Sequence, residues 1–467
     1  MSEVDLPEEA QAAGDELDED DRLKPGFVRA VLDAVEAGDA EGARALVAPL
    51  HPADIADLFE LAPADERDAL AAALSDLLDA DVFAEMNDWV REDLIDDLSA
   101  TQVADIASEL DTDDAVAIIE DLDADEQREV LRAMEPDDRA AIEEALSYPE
   151  ESAGRLMQRD LVAVPEHWTV GDAIDYLRGQ DDLTTDFWEV FVVDGRHMPV
   201  GTCALSWILR TPRGIAIADV MQREQTLIPV DMDQEEVALR FQKYALISAA
   251  VVDHGGLLVG VITADDVVHI IQEEASEDAL LLSGVDEGDI NEPVVESYKS
   301  RVRWLAANLL TALVASSIVG AFSESIAALA ILAALMPIVA GVGGNAGTQT
   351  LAVTVRALAT NQLTQSNTLR TITRELRVAL LNGLTIALLI GFGVSLVLQS
   401  PQLGAVIAAA MLANILIAGL AGVLVPLSLE RAGADPAVAS SVFVTMVTDS
   451  MGFLVFLGLA TAAGLAG

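Results

Sequence analysis

A single cysteine, Cys203, occurs in 467 residues, so no disulfide can form within the chain and a reducing compartment suits it. Bases are scarce as well: 26 Lys and Arg stand against 79 Asp and Glu. The N-terminus lacks the basic-then-apolar pattern of a secretory signal; residues 2 to 21 are largely acidic and small, and composition predicts disorder over residues 1–26. No nucleophile, general base or phosphate-binding loop of recognisable spacing is present, which argues against an enzyme.

The averages hide two unlike parts. After residue 300 the only acids are Glu324, Glu375, Glu430, Asp435 and Asp449, against seven arginines, so that part carries +2 and the first 300 residues carry −55 of the total −53. A strongly acidic soluble module is fused to an apolar one. The acidic surface repels nucleic acid and anionic lipid and attracts cations. Acids spread over the whole module fit halophilic solubility in a salty cytosol; a dedicated sensor of a divalent cation is the competing reading.

Residues 27–150 read as a stack of short helices in the style of a superhelical solenoid. A local repeat runs Leu110-Asp-Thr-Asp-Asp, Leu122-Asp-Ala-Asp-Glu and Met134-Glu-Pro-Asp-Asp, and Asp123 with Glu126 has the spacing of a capping box. From 151 the pattern changes to two unequal copies of strand, helix, strand, strand. The first (151–215) runs through Met157, Leu161 to Val164, the helix Val170 to Leu177, Val190 to Val193 and Val200 to Cys203. The second (216–274) runs through Met221, Thr226 to Val230, the helix Glu235 to Tyr244, Ala249 to Val252, Leu257 to Ile262 and a closing helix from Asp265. This segment resembles a pair of CBS domains.

In such domains a Thr and an Asp after the last strand often hold a nucleotide, and the second copy has Thr263 and Asp266, where the first has Ala204 and Trp207. The resemblance implies ATP or another adenine nucleotide at the second copy. The same two residues also have the spacing of an N-cap and its N3 partner, and that alone would account for them. His197 and His254 lack metal-ligand spacing. A connector, 275–303, follows directly after Glu274, with the acids Glu277 and Asp278 at its start, then the loop Gly284-Val-Asp-Glu-Gly288 and a helix predicted from Glu292 to Arg303.

Five apolar stretches fill residues 304–467, near 304–322, 326–359, 378–398, 403–429 and 437–466, each long enough for a bilayer core of about 30 Å. Bases cluster before the first, after the second and after the fourth. By the positive-inside rule the soluble domains and N-terminus are cytoplasmic and the C-terminus is outside, which predicts a multi-pass protein of the cell membrane. The second stretch is interrupted by Gly341, Gly343, Gly344, Asn345 and Gly347, read as a break in the helix that lines a wet path; the Gly343 to Gly347 spacing would equally let two helices approach closely.

Asp449, mid-way along the fifth stretch, has no Lys, Arg or His there to pair with. A carboxylate at the bilayer centre costs about 3 kcal/mol and is functional by default. Two copies about a two-fold axis would bring two such carboxylates to one ion, matching Mg²⁺, which keeps its waters and takes one or two carboxylates.

The order of domains, the run Gly343-Gly-Asn345-Ala-Gly347-Thr-Gln349, and Asp435-Pro436-Ala437 with Thr448-Asp449-Ser-Met-Gly452 resemble the MgtE family of magnesium channels. The fold implied is a multidomain membrane protein: an all-α superhelical N-domain, α/β paired CBS domains, a connector or plug helix and a five-helix transmembrane domain. The resemblance implies a homodimer with its pore at the two-fold axis. Asp449 would hold hydrated Mg²⁺, and Gly343, Gly344, Asn345, Ser441, Thr445 and Thr448 would line the pore. Bridging acids at Glu277, Asp278, Asp265 and Glu274 would close the plug on cytosolic Mg²⁺. Thr348 departs from the family's usual Asn. A cation-coupled carrier and a membrane-tethered nucleotide sensor are the alternatives.

Overall fold

The computed structural model describes residues 16–179, 187–285, 288, 290–364, 366–438 and 440–465. The first fifteen residues, and Asp286 and Glu287 of the acidic loop, lie outside the described residues. The chain divides into two compact units, one ending at Ile271 and one starting at Gln272.

The first unit opens with short helices from Pro25–Glu36 to Pro136–Ala145. Predicted disorder up to residue 26 is corrected for its last part: Leu17 bridges to Leu23, and Leu23 is buried in the helical core. The 12-residue repeat places successive helix starts at Thr112, Ala124 and Pro136. Asp123 stands at an N-cap but its side chain makes no capping bond, whereas Ser99 and Gln102 form a complete capping box. Acids in the first turn, Asp125 and Glu126 among them, still favour the positive end of the helix dipole. Buried Arg91 ties three turns together, donating to Asp88 at 2.6 Å, Asp121 at 2.8 Å and the Met86 carbonyl at 3.3 Å.

Two three-stranded sheets follow with the same topology. In the first, β1 (Ala163–Pro165) lies parallel to β2 (Glu189–Val193), which pairs antiparallel with β3 (Pro199–Ala204). In the second, β4 (Leu227–Pro229) is parallel to β5 (Ser248–Val252), which pairs antiparallel with β6 (Leu258–Thr263). Each sheet has an irregularity near the end of its middle strand, at Val192/Val193 and Val251/Val252. The halves are interlocked through their leading Met-Gln pairs. Gln158 bridges to Val261 of the second sheet, and Gln222 to Thr202 of the first. Only glycine fits opposite: a β-carbon on Gly260 would lie 2.6 Å from Met157 Sδ, and one on Gly201 2.7 Å from the Gln222 carbonyl.

The closing helix Ala264–Ser283 ends at Gly284, whose φ of 77° is left-handed, and the next helix starts after Pro293. The connector is therefore not one plug helix. Its first part extends the closing helix, and its last part opens the first span.

Among the described residues five helices are long and apolar enough to cross a membrane: Val294–Ala321, Ile331–Ala359, Thr368–Val397, Pro401–Arg431 and Ser440–Ala462, the first to fifth spans. The predicted break in the second span is corrected, since Ile331–Ala359 is helical throughout. Two of its glycines, Gly343 and Gly347, serve close packing instead. A β-carbon on Gly347 would meet Val444 Cγ1 at 2.6 Å, and one on Gly422 of the fourth span would meet the Gly347 carbonyl at 2.8 Å and the Leu351 amide at 3.0 Å. Between the third and fourth spans, a β-carbon on Gly391 would meet the Gly404 carbonyl at 2.9 Å.

Gly422→Ala, forced against backbone, is expected to lower the melting temperature of the full-length protein by several degrees, a cost of about 1–3 kcal/mol. Gly344→Ala, with nothing within 4 Å of the added carbon, is expected to leave it unchanged or slightly raised. Thermal unfolding in detergent compares the two; equal effects would refute the packing argument.

Candidate functional site

Ser441, Thr445 and Asp449 follow at steps of four and share one face of the fifth span. Ser441 and Thr445 are partly exposed and Asp449 is half-buried, and no basic side chain pairs with Asp449 among the described residues. On the second span Asn345, Thr348 and Gln349 are exposed and Gly344 is partly so; the Thr348 hydroxyl donates to the Asn345 carbonyl at 3.2 Å.

Two predicted lining residues are corrected within the protomer. Thr448 is fully buried, its hydroxyl donating to the Thr445 carbonyl at 3.1 Å, with its methyl against Gly347. Gly343 is buried because Asn414 of the fourth span occupies the space a β-carbon would take: the distance to Nδ2 would be 2.0 Å. Both residues set helix spacing.

Asn414 is the residue that sequence reasoning missed. It is 0% exposed, donates from Nδ2 to the Val339 carbonyl at 3.0 Å, and its Oδ1 has no partner. A β-carbon on Gly452, one turn after Asp449, would lie 2.7 Å from the same amide. One polar residue in an apolar run of the fourth span was the available signal, and it reads as strongly as Asp449 under the rule that intramembrane polar groups need partners.

In the soluble unit, acids of the helix Thr112–Glu120 face the start of the closing helix. Asp113 is partly buried, its Oδ1 closed off and without a partner, and desolvation followed by the charge of Asp266 holds its carboxyl well above the usual range. The same two causes push Asp114 up to about 6. Asp111 is raised by burial and then by Asp160, Asp266 and Asp265. Predicted Asp265 thus belongs to a cluster of carboxylates in which Asp111, Asp113 and Asp114 had been read as a helix-start repeat.

Thr263 and Asp266 form a cap: Asp266 Oδ2 accepts from the Thr263 hydroxyl at 2.6 Å and from its amide at 3.2 Å, with Gln158 Nε2 at 3.3 Å. The capping reading accounts for this geometry in full.

In the second unit, Glu274, Glu277 and Asp278 share a helix face with Leu281, which is buried against Leu351, Val355 and Ala437. Burial, then the charge of Asp435, raises the Asp278 carboxyl. Asp435 itself accepts from the Ala437 amide at 2.7 Å. Among the described residues, no three His, Cys, Asp or Glu side chains converge as a group that could hold a metal ion.

These features define a multi-pass membrane protein with an acid in a span and a cation-attracting soluble part. A family model described as a divalent cation transporter, MgtE, matches residues 336–459; one for the MgtE intracellular N domain matches 50–151, and a CBS domain model matches 217–273. The chain is 33% identical over 316 residues to the magnesium transporter MgtE of Enterococcus faecalis, covering 68% of this chain and 70% of that protein. It is 34% identical over 316 residues to that of Thermus thermophilus, with 67% and 70% covered. The cytosolic domain of the Mg²⁺ channel MgtE in complex with ATP matches at 26% identity and a TM-score of 0.48, over 52% of this chain and 99% of that one. The chain belongs to the MgtE family.

Replacing Asn414 with Ala removes one buried hydrogen bond and leaves a cavity. It is expected to cost about 2–4 kcal/mol in the melting of the full-length protein; an unchanged melt would show that the amide does not hold the three spans.

The raised carboxyl of Asp114 means that the fold favours its protonated form. That stabilisation is whole below the ordinary value of 3.8 and is lost as pH rises through about 6; its size is reduced by solvent screening, because Asp114 is exposed. In chelator, the soluble unit of the full-length protein is therefore expected to melt higher at about pH 5 than at about pH 7.5. Asp113→Asn with Asp114→Asn is expected to flatten that dependence and to raise the melt at the higher pH. A pH-independent wild-type melt would overturn the assignment.

Proposed function

We propose that this chain is a Mg²⁺ channel that admits Mg²⁺ down its electrochemical gradient and is shut by cytosolic Mg²⁺. The observation that carries the reading is Asp449, half-buried in the fifth span and without a basic partner, in a chain whose relatives are magnesium transporters. Two copies about a two-fold axis would set two Asp449 carboxylates opposite one hydrated ion, with Ser441, Thr445, Gly344 and Asn345 supplying oxygens or open backbone along the path. Mg²⁺ sheds its waters reluctantly, so few direct ligands suffice. The first span supports a dimer: only 6% of its apolar window is buried in one copy, which leaves that face for lipid or a second chain.

The gate in this reading is electrostatic. Asp111, Asp113, Asp114, Asp265 and Asp266 repel one another inside the soluble unit, and Asp278 repels Asp435 beside the membrane unit. A divalent cation bound at either place relieves the repulsion and favours the closed packing. Glu274 and Glu277 stand on the same helix face as Asp278 and belong to the second place. The soluble unit and N-terminus lie in the cytoplasm in this reading, and an adenine nucleotide at Thr263 and Asp266 would act on the same closing helix.

Mg²⁺ uptake into liposomes by the purified protein tests both parts. Asp449→Asn is expected to lower uptake at least tenfold. Asp278→Asn is expected to leave uptake at low cytoplasmic-side Mg²⁺ intact and to weaken its shut-off at high Mg²⁺. Uptake unchanged by Asp449→Asn would remove that residue from the mechanism.

A further inference from the structure

The third span carries a polar site that the ion path does not use. Its apolar run, residues 378–398, is about 30 Å long at 1.5 Å per residue, so the turns before it stand at headgroup level. Arg370, Arg374 and Arg377 lie in those turns, all exposed. They continue, at steps of four and three, into Leu381, Leu384, Leu388 and Phe392, of which Leu381 is 66%, Leu388 71% and Phe392 72% exposed. A row of bases thus runs into an apolar stripe on one helix face.

Beside this row is a cavity of about 220 Å³ between the second, third and fourth spans. Gln349 and Thr350 line it from the second span, and Arg374, Glu375 and Asn382 from the third. Glu375 is 6% exposed, and Arg374 is bonded to it through Nη1. Residues adjacent on a helix do not normally face each other. Here the guanidinium folds back over the buried carboxylate, and so is held at the cavity mouth instead of extending into water. Three arginines and one glutamate leave two net positive charges.

We propose that this face binds the headgroup of an anionic glycerophospholipid. Its phosphate sits among Arg370, Arg374 and Arg377, its headgroup hydroxyls reach Asn382, Gln349 and Thr350 in the cavity, and an acyl chain lies along Leu381, Leu388 and Phe392. Glu375 is a positioning residue that orients Arg374. Arginine suits this role because its planar fork matches phosphate oxygens. An uncompensated base near an anionic surface favours contact by about fivefold, so two favour it by about thirtyfold. Because Gln349 and Thr350 belong to the helix that carries Asn345, a bound lipid would touch the second span directly.

Native mass spectrometry of the full-length protein, extracted from bilayers of equal phosphatidylglycerol and phosphatidylcholine, tests this without any transport assay. The wild type is expected to retain the anionic lipid at least about fivefold over the neutral one. Arg370→Gln, Arg374→Gln and Arg377→Gln together are expected to bring the ratio to that of the bilayer, while Arg301→Gln with Arg303→Gln leaves it unchanged. Arg374→Gln alone is expected to lower it severalfold, with thermal unfolding of the variant showing that it stays folded although the buried Glu375 loses its guanidinium. Equal retention by wild type and triple variant overturns the proposal, as does an equal loss with the Arg301 and Arg303 pair. So does a disulfide between two copies of Leu388→Cys in a Cys203→Ser background, since the face would then be covered by protein.

Discussion

Spans two, four and five meet where no β-carbon fits, and the polar residues of the membrane unit depend on that approach. Asn414 fills the space left by Gly343 and Gly452, and Gly422 stands against the backbone of Gly347 and Leu351. In a bilayer, water does not drive helices together; van der Waals contact and hydrogen bonds between helices do. The amide of Asn414 on the Val339 carbonyl is such a bond, reaching 75 residues along the chain. The contact of Thr448 with Gly347 then fixes the register of the second and fifth spans. In both helices the next residue, Asp449 or Thr348, is already accessible.

The soluble unit works in the opposite way. Its helices and sheets are held by an ordinary apolar core and by tie points such as Arg91, but one region of it places carboxylates close together, several of them partly buried. Burial raises every one of Asp111, Asp113, Asp114 and Asp266 before any neighbour's charge is counted. Such an arrangement weakens the unit unless protons or cations neutralise it.

Much of this was legible in the sequence, for reasons that can be named. Short apolar runs rich in Val and Ile marked β2, β3, β5 and β6 almost to the residue, and five long apolar runs marked the spans. Glycine was ambiguous: a lack of side chain serves a broken helix and a tightly packed one equally, and only the positions of Asn414, Val444 and Thr448 decide for packing. The acid cluster was hidden for a related reason. Asp113 and Asp114 sit in the first turn of a helix, where acids are favoured anyway, so nothing in the local pattern separates them from Asp125 and Glu126. Asp123 misled in the reverse sense, having the spacing of a cap without its bond.

The acidic composition bears on which carboxylates can sense anything. If the cytosol is salty, exposed acids are screened over a few ångströms, about 3 Å at molar ionic strength, and most of the −55 charge is silent toward a dilute divalent ion. Buried groups are screened far less. Asp113, its Oδ1 buried and near the charge of Asp266, keeps more of its repulsion in salt than an exposed acid does, and the half-buried Asp278 beside Asp435 keeps part of its own. In the reading proposed above, a response to Mg²⁺ would therefore rest on burial and not on the number of acids, and surface carboxylates could accumulate for solubility without altering it, provided these few stay packed.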